Sequence, residues 1–235
     1  MCILPTSHKP HHIVYSCSMN QKQVLFSTLA VLVLFAGLFG VYKLIGAGPD
    51  EALITKVKSG KPAERTMWNK NGAHTLAVFS DFQCPACKVF HEFLSGLEAS
   101  TSPSLNVTKN TSFVFRYYPL YQIHKQAFPL AYAAEAAAKQ NKFEEVSKRF
   151  FADQTSFESM TDLNKYLTGV AKDLGLDSKK FFADMNDKTL QSIIQNDLSL
   201  GESLGVNATP TFYLDGEKLE SMPPENLLKI LKDLK

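Results

Sequence analysis

The sequence predicts an α/β fold in which a block of helices interrupts an alternation of strands and helices. Short apolar runs at 75–79, 113–118 and 211–214 have the length and composition of buried strands. The first run leads into an amphipathic helix, whereas residues 125–204 have a helical pattern throughout. An uncharged apolar segment at 24–42 precedes all of these elements. We therefore expect an α/β domain with an inserted all-helical subdomain, preceded by a single N-terminal transmembrane helix.

The uncharged segment at 24–42 is long enough to cross a bilayer. A helix rises about 1.5 Å per residue, and the apolar core of a bilayer is about 30 Å thick. Positive charge lies mainly on the N-terminal side, so we expect a cytoplasmic tail at 1–23 and an anchor at 24–46. A cleaved signal peptide is the alternative, because the Gly-Ala-Gly sequence at 46–48 suits signal cleavage. Met19 is an alternative start of the chain.

The segment that follows the anchor is interpreted as a linker. Residues 47–71 contain glycine, proline and several charges, with one short strand expected at 52–57. The folded domain is expected to span 72–235 and to include the helical insertion at about 125–204.

Composition excludes two broad classes of protein. The 235 residues carry a net charge of +2, and no basic patch alternates with aromatic residues, so we expect no nucleic-acid binding. The chain has 4 cysteines, too few for a small scaffold that depends on disulfides. Hydrophobic residues make up 45% of the chain, which is enough for a substantial core.

Two cysteines lie where the first strand ends and the amphipathic helix begins, in the sequence Cys84-Pro85-Ala86-Cys87. Cys84 falls at the helix N-terminus, where unpaired N–H groups and the helix dipole stabilise a thiolate, the reactive form of cysteine. Pro85 suits the first helical position, where no N–H is needed. Cys87 lies one turn further on and can form a disulfide with Cys84 with little backbone movement. The pattern indicates a site that alternates between dithiol and disulfide.

A zinc site and a structural disulfide are the two other interpretations of this cysteine pair. A zinc site needs two further ligands. Cys2 and Cys17 precede the predicted membrane segment, and no closely spaced histidine pair follows the motif. We therefore expect no metal, while a structural disulfide stays open.

Glycine and aspartate mark the ends of the later elements. Gly175 and Gly205 are typical of helix C-termini, and Asp177 and Asp187 can cap helix N-termini. The Asp-Gly sequence at 215–216 predicts a hairpin turn after the strand at 211–214.

Three further expectations concern helices and histidines. The alanine-rich segment at 127–143 is typical of a tightly packed helix, and a last helix is expected at 224–234 with Ser221 as its cap. His91 and His124 are expected to be packing or surface residues.

Four segments together resemble a known family. They are FSDFQCPAC at 79–87, FRYYPL at 115–120, AYAAEAA at 131–137 and VNATPTF at 206–212. With the helical block before the hairpin, they are similar to the membrane-anchored bacterial thiol–disulfide oxidoreductases of the DsbA-like family. The resemblance covers residues 72–234 and implies a thioredoxin-like fold with a helical insertion.

The resemblance implies a role for each matching residue. Cys84 would be the exposed attacking cysteine and Cys87 the buried resolving one, with Pro85 and Ala86 supporting the site. The Thr209–Pro210 bond would be cis and would face the cysteines. These two residues would bind substrate, because they leave backbone groups free to pair with an extended peptide.

The sequence departs from the family pattern at two positions. Ala86 occupies a position where many relatives have histidine, so we expect weaker stabilisation of the Cys84 thiolate. Val78 occupies a position where several relatives keep a buried acid. The nearest acid is Asp81, which either relays a proton for Cys87 or caps the active-site helix.

The function implied by the resemblance is extracytoplasmic thiol–disulfide exchange that introduces disulfides into exported proteins with free cysteines. It implies no cofactor beyond the Cys84–Cys87 pair, and reoxidation by a membrane quinone-linked partner of the DsbB or VKOR type. We expect a monomer, because the segment at 47–71 is too short to fold as a dimerisation domain. The alternatives are an isomerase or reductase of the same fold, or a non-catalytic peptide-binding chaperone.

Overall fold

The structure, a computed structural model, describes residues 21–45, 52, 55–57, 65–100, 107–221 and 223–234. Cys2, Cys17, Met19 and most of the predicted linker lie outside the described residues. The chain divides into two units, residues 1–48 and residues 49–235.

Helix α1, Gln21–Ile45, is the described part of the first unit. Large apolar side chains along it are exposed, among them Leu25 and Phe35. In the part of the chain that the structure describes, no helix combines the length and apolar content needed to cross a membrane. The predicted transmembrane helix at 24–46 is therefore not supported.

One sheet of five strands organises the described residues of the second unit. The strands are β1 (Thr66–Trp68), β2 (His74–Ser80), β3 (Thr111–Tyr117), β4 (Thr211–Leu214) and β5 (Glu217–Lys218). Their order across the sheet is β1-β3-β2-β4-β5. Strands β2 and β3 are parallel, and each other neighbouring pair is antiparallel.

The helices of this unit include a contiguous insertion between β3 and β4. Helix α2 (Pro85–Ala99) follows β2, and α8 (Pro224–Asp233) follows the hairpin. The insertion contains α3 (Ala127–Ala138), α4 (Phe143–Ala152), α5 (Leu163–Asp173), α6 (Ser178–Met185) and α7 (Lys188–Ser203). The predicted α/β fold with a helical insertion is confirmed.

Strand β2 is buried on both faces, which explains its uninterrupted apolar sequence. Leu76 and Val78 belong to one core cluster, together with residues of α2 and the insertion. Ala77 and Phe79 point to the opposite face and belong to a second cluster that includes Leu198 of α7. The active-site segment therefore leaves a strand that is held from both sides.

Sequence analysis did not predict β1, which lies in the segment interpreted as a linker. Its three residues pair with β3, Thr66 opposite Val114. A strand of three residues is too short to show a periodic pattern. The strand expected at 52–57 is wrong for its described residues, since 52 and 55–57 are helical.

Two predicted helix caps are confirmed, and two other predictions about helix boundaries are wrong. Asp177 and Asp187 cap α6 and α7 as expected, through bonds from the N–H groups of Lys180 and Thr189. Ser221 is not the cap of α8, because Pro223 occupies that position. The alanine-rich segment is divided after Ala138 by a turn, in which Asn141 has a φ of 58°.

Four charged residues form a buried ionic cluster that the sequence did not reveal: Arg65, Arg116, Glu135 and Asp197. Asp197 accepts hydrogen bonds from Nη1 of Arg65 at 2.6 Å and from Nη1 of Arg116 at 3.0 Å. Nε of Arg65 lies 2.8 Å from Oε2 of Glu135. The cluster joins the sheet to helices α3 and α7 of the insertion.

Candidate active site

Cys84 lies at the N-terminus of the active-site helix, as the sequence predicted. It is the N-cap of α2 with φ −75° and ψ 119°, and Pro85 follows in the first turn. Its N–H donates to the carbonyl of Asp81 at 3.1 Å, and its own carbonyl accepts from the N–H of Lys88 at 3.2 Å. The turn from β2 into α2 thereby aims the first N–H groups of the helix at the Cys84 side chain.

The two cysteines of the motif are free thiols with little exposure. Cys84 is 7% exposed and Cys87 is 2% exposed. Cys84 is therefore not the exposed cysteine that the resemblance implied, because the Thr209–Pro210 loop lies against its sulfur. The Cys84 thiol donates to the carbonyl oxygen of Thr209 at 3.2 Å. The Thr209–Pro210 bond is cis, as the resemblance implied. A loop distant in sequence therefore meets the first cysteine, while Pro85 and Ala86 form the exposed edge of the site.

The pKa of Cys84 is lowered from 9.0 to about 6. The largest cause is a hydrogen bond from the Cys87 side chain, which acts against the opposing effect of burial. The Thr209 side chain and the backbone N–H groups of Cys87 and Ala86 also favour the thiolate. A large share of Cys84 is therefore ionised near neutral pH.

The pKa of Cys87 shifts the other way, well above its ordinary value. Burial is the largest cause, followed by the hydrogen bond to Cys84 and the repulsion between the two sulfurs. The Ser80 side chain and the Asp81 backbone only partly offset these effects. Cys87 therefore keeps its proton while Cys84 is a thiolate.

Asp81 is 2% exposed and connects the active-site turn to the segment before α3. Oδ1 accepts from the N–H of Gln83 at 2.7 Å. Oδ2 accepts from the N–H of Leu120 at 2.7 Å and lies 2.9 Å from Nδ1 of His124. All three partners lie outside α2, so Asp81 does not cap the active-site helix. The carboxylate thus holds two loops together at the base of the site.

The two histidines differ in their surroundings. His91 packs against Phe151 with ring centres 4.5 Å apart, and burial lowers its pKa to about 4, which leaves it neutral. It is a packing residue, as expected. His124 contacts the buried Asp81 carboxylate beside the redox pair, a position that sequence reasoning missed.

Two glutamines also contribute to the site and were missed by sequence reasoning. Oε1 of Gln83 accepts from the N–H of Gln126 at 2.6 Å. Nε2 of Gln154 donates to the carbonyls of Phe82 at 2.7 Å and of Cys84 at 3.0 Å. Glutamine is common on protein surfaces, so no sequence signal distinguishes these two residues from others.

A groove of about 640 Å³ lies beside the exposed edge of the site. Its apolar lining includes Pro85, Val89, Ile123, Phe157 and Met160, contributed by α2, the segment before α3 and the segment after α4.

Among the described residues, no group of three or more histidine, cysteine or acidic side chains could hold a metal ion.

Comparison with known proteins identifies the family of this chain. The family model described as Thioredoxin matches residues 61–233. Among curated proteins, the Na(+)/H(+) antiporter NhaA 1 of Mycobacterium sp. (strain KMS) is 26% identical over 199 residues. The match covers 83% of this chain but 30% of that relative, so the chain spans less than a third of its length.

Solved structures of similar fold cover most of the chain. A thioredoxin-like oxidoreductase from Silicibacter pomeroyi DSS-3 is 23% identical with a TM-score of 0.60, covering 76% of this chain and 95% of its own. The thiol-disulfide exchange protein alpha-DsbA2 from Wolbachia pipientis is 17% identical with a TM-score of 0.61, covering 79% and 97%. At these identities the similarity concerns the fold.

Proposed function

This chain belongs to the thioredoxin family and has the fold of the DsbA-like thiol–disulfide oxidoreductases, and we propose that it oxidises cysteine pairs in proteins through Cys84 and Cys87. The observation that carries this proposal is the low pKa of Cys84, about 6, beside a resolving cysteine whose pKa is raised. A thiolate that is stabilised in the dithiol form favours reduction of the pair, and therefore makes its disulfide a stronger oxidant.

The proposed reaction has two exchange steps. A substrate thiolate attacks Sγ of Cys84 in the disulfide form, the Cys84–Cys87 bond breaks, and the Cys87 sulfur leaves and takes up a proton. A second substrate thiolate then attacks the substrate sulfur of the mixed disulfide and releases Cys84 as a thiolate. Two electrons pass from the substrate thiols to the pair, and the substrate gains a disulfide.

The substrate segment is proposed to lie between the groove and the Thr209–Pro210 loop. Thr209 and Pro210 are partly exposed, and the Thr209 carbonyl is 3.2 Å from the Cys84 sulfur. Backbone groups at this loop can pair with an extended peptide whose cysteine approaches Cys84. The apolar lining of the groove suits the unfolded segments of a protein that has not yet formed its disulfides.

The proposal extends to the compartment and to the source of oxidising equivalents. Disulfide formation requires an oxidising space, so we place the activity outside the cytoplasm. Each turnover leaves the pair reduced, and a membrane quinone-linked partner of the DsbB or VKOR type would reoxidise it. Exported proteins with free cysteines are the proposed substrates.

The deciding experiment is the reduction potential of the Cys84–Cys87 pair, measured with the full chain in defined glutathione buffers. A value near about −120 mV supports the oxidase, and a value near about −270 mV supports a reductase instead. Oxidation of reduced ribonuclease and repair of scrambled ribonuclease, assayed in parallel, separate an oxidase from an isomerase. A pair that exchanges with neither substrate would overturn the proposal and favour a non-catalytic peptide-binding protein.

A further inference from the structure

Gln154 is a buried amide that the exchange reaction described above does not use. It lies in the short 3₁₀ turn Gln154–Ser156, directly after α4 in the helical insertion. The residue is 7% exposed. Its Nε2 group donates to two carbonyls of the active-site turn, at 2.7 Å to Phe82 and at 3.0 Å to Cys84. One amide therefore connects the insertion to the backbone on both sides of Gln83.

The turn that carries Gln154 is itself fixed on both sides. On one side, the Asp153 carboxylate accepts from the Tyr166 hydroxyl at 2.9 Å and forms a short ion pair with Arg149. On the other side, the N–H of Phe157 donates to the Gln154 carbonyl at 3.1 Å, and the Phe157 ring is 2% exposed. Because these contacts fix the backbone on each side of Gln154, its side chain stays in one position.

The insertion and the active-site turn also pack against each other through aromatic rings. The Phe82 ring lies 5.3 Å from the ring of Phe150 and 5.1 Å from that of Phe151, centre to centre. Phe82 is 1% exposed. This packing buries the Phe82 side of the turn, so the Phe82 carbonyl would stay without a partner if it lost the Gln154 amide. The Cys84 carbonyl would keep only the N–H of Lys88.

We propose that Gln154 is a positioning residue for the redox pair: its amide fixes the Phe82 and Cys84 carbonyls, and thereby the direction in which the first N–H groups of α2 meet the Cys84 sulfur. The inference rests on the proposed function, since it assigns part of the Cys84 reactivity to the insertion. The N–H groups of Ala86 and Cys87 are among the groups that favour the thiolate. Hydrogen bonds weaken steeply with misalignment, so a small rotation of the turn reduces their effect.

The test compares Gln154→Met with Gln140→Met in the full chain. Methionine keeps the length and flexibility of glutamine but cannot donate a hydrogen bond. Gln140 is the matched control, because it also bonds backbone groups within the insertion. Its Nε2 donates to the Asp177 carbonyl at 3.3 Å and its Oε1 accepts from the Asp177 N–H at 2.9 Å, away from the cysteines.

The readout is the pH dependence of Cys84 alkylation by iodoacetamide, followed on the Cys84 peptide by mass spectrometry. We expect the midpoint to rise from about 6 in the unaltered protein to about 7 or above in Gln154→Met. Alkylation at pH 5 should then be about tenfold slower. The midpoint should not move in Gln140→Met, and a folded Gln154→Met with an unchanged midpoint would overturn the positioning role.

A second measurement uses the unaltered protein and covers the case in which Gln154→Met does not fold. The side-chain amide resonances of Gln154 should be protected from exchange and should shift with a midpoint near the Cys84 pKa of about 6. Resonances that exchange freely and ignore this titration would contradict the inference. An unaltered protein whose Cys84 titrates near 9 would contradict the proposed function itself, so the two failures are distinguishable.

Discussion

The redox site and the buried ionic cluster are two polar regions of the same unit, and they treat charge in opposite ways. In the ionic cluster, the Asp197 carboxylate lies between the guanidinium groups of Arg65 and Arg116. At the redox site, the charge that develops on Cys84 is met by the Cys87 thiol, the Thr209 side chain and backbone N–H groups. The ionic cluster pairs charged groups with oppositely charged groups, whereas the redox site stabilises the Cys84 thiolate with dipoles.

This difference indicates what each region contributes. Breaking one ion pair of the cluster would leave a buried charge without its partner, so the cluster fixes how the sheet and the insertion fit together. A charge held by dipoles can be gained and lost with a modest change in free energy, as exchange chemistry requires. We therefore expect changes in the cluster to alter stability, and changes at the redox site to alter reactivity.

The largest expected effect is the loss of exchange in Cys84→Ser, which removes the attacking sulfur. Cys87→Ser cannot form the Cys84–Cys87 disulfide, but its Cys84 thiolate can still attack substrate disulfides. It should accumulate mixed disulfides with substrate proteins, because no Cys87 thiol remains to displace the substrate. Non-reducing gels and mass spectrometry would measure both outcomes, with Cys17→Ser as a control outside the pair. Exchange that persists in Cys84→Ser would show that the two cysteines have been given the wrong roles.

The next effect in size concerns the cluster. Asp197→Asn should lower the free energy of unfolding by about 3–5 kcal/mol, because two buried guanidinium groups lose their shared counter-ion. The exposed Glu202→Gln on the same helix is the control and should change it by less than about 0.5 kcal/mol. Denaturant unfolding gives both values. If Asp197→Asn instead moves the pH midpoint of Cys84 alkylation, the two regions are not separable.

A smaller loss is expected for Asp81→Asn, at the base of the redox site. Its carboxylate accepts from the N–H groups of Gln83 and Leu120 and contacts His124. An amide cannot accept on both sides, so one partly buried donor loses its partner, at a cost of about 1–3 kcal/mol in unfolding free energy. A loss larger than that of Asp197→Asn would mean that Asp81 belongs with the structural charges.

The smallest effect is the response of the unaltered protein to pH. Because the pKa of Cys84 is lowered to about 6, its alkylation rate should stay level above that pH and fall about tenfold for each pH unit below it. Cys87 has a raised pKa and should remain unreactive through the same range. A Cys84 rate that is still rising between pH 7 and 9 would contradict the dipole-stabilised thiolate.

Local patterns were sufficient for much of the fold. The apolar run of β2 and the aspartate caps of α6 and α7 were read correctly, because each depends on neighbouring residues only. Strand β1 was missed, since its three residues become a strand only by pairing with β3. The prediction of Ser221 as a helix cap is wrong, because Pro223 occupies that position.

The candidate site likewise contains residues that the sequence predicted and residues that it did not. The position of Cys84 at a helix N-terminus followed from the Cys84-Pro85-Ala86-Cys87 sequence, whereas the facing Thr209–Pro210 loop was implied by the resemblance to the DsbA-like family. Gln154 and His124 gave no signal, because glutamine and histidine occur widely on surfaces and in cores. The contacts of Gln154 depend on how the insertion packs against the active-site turn, and the contact of His124 depends on how the segment before α3 packs there.

The sequence by itself determined the α/β order, the helical insertion and the strand-to-helix junction that carries the cysteine pair, because these follow from short-range hydrophobic periodicity and turn chemistry. Only the tertiary structure decided which groups surround that pair. The contact of the Thr209 carbonyl with the Cys84 sulfur, the Gln154 amide on the active-site turn and the ionic cluster at Asp197 each join residues far apart in the chain. Such contacts depend on how whole elements pack, and no local pattern encodes that packing.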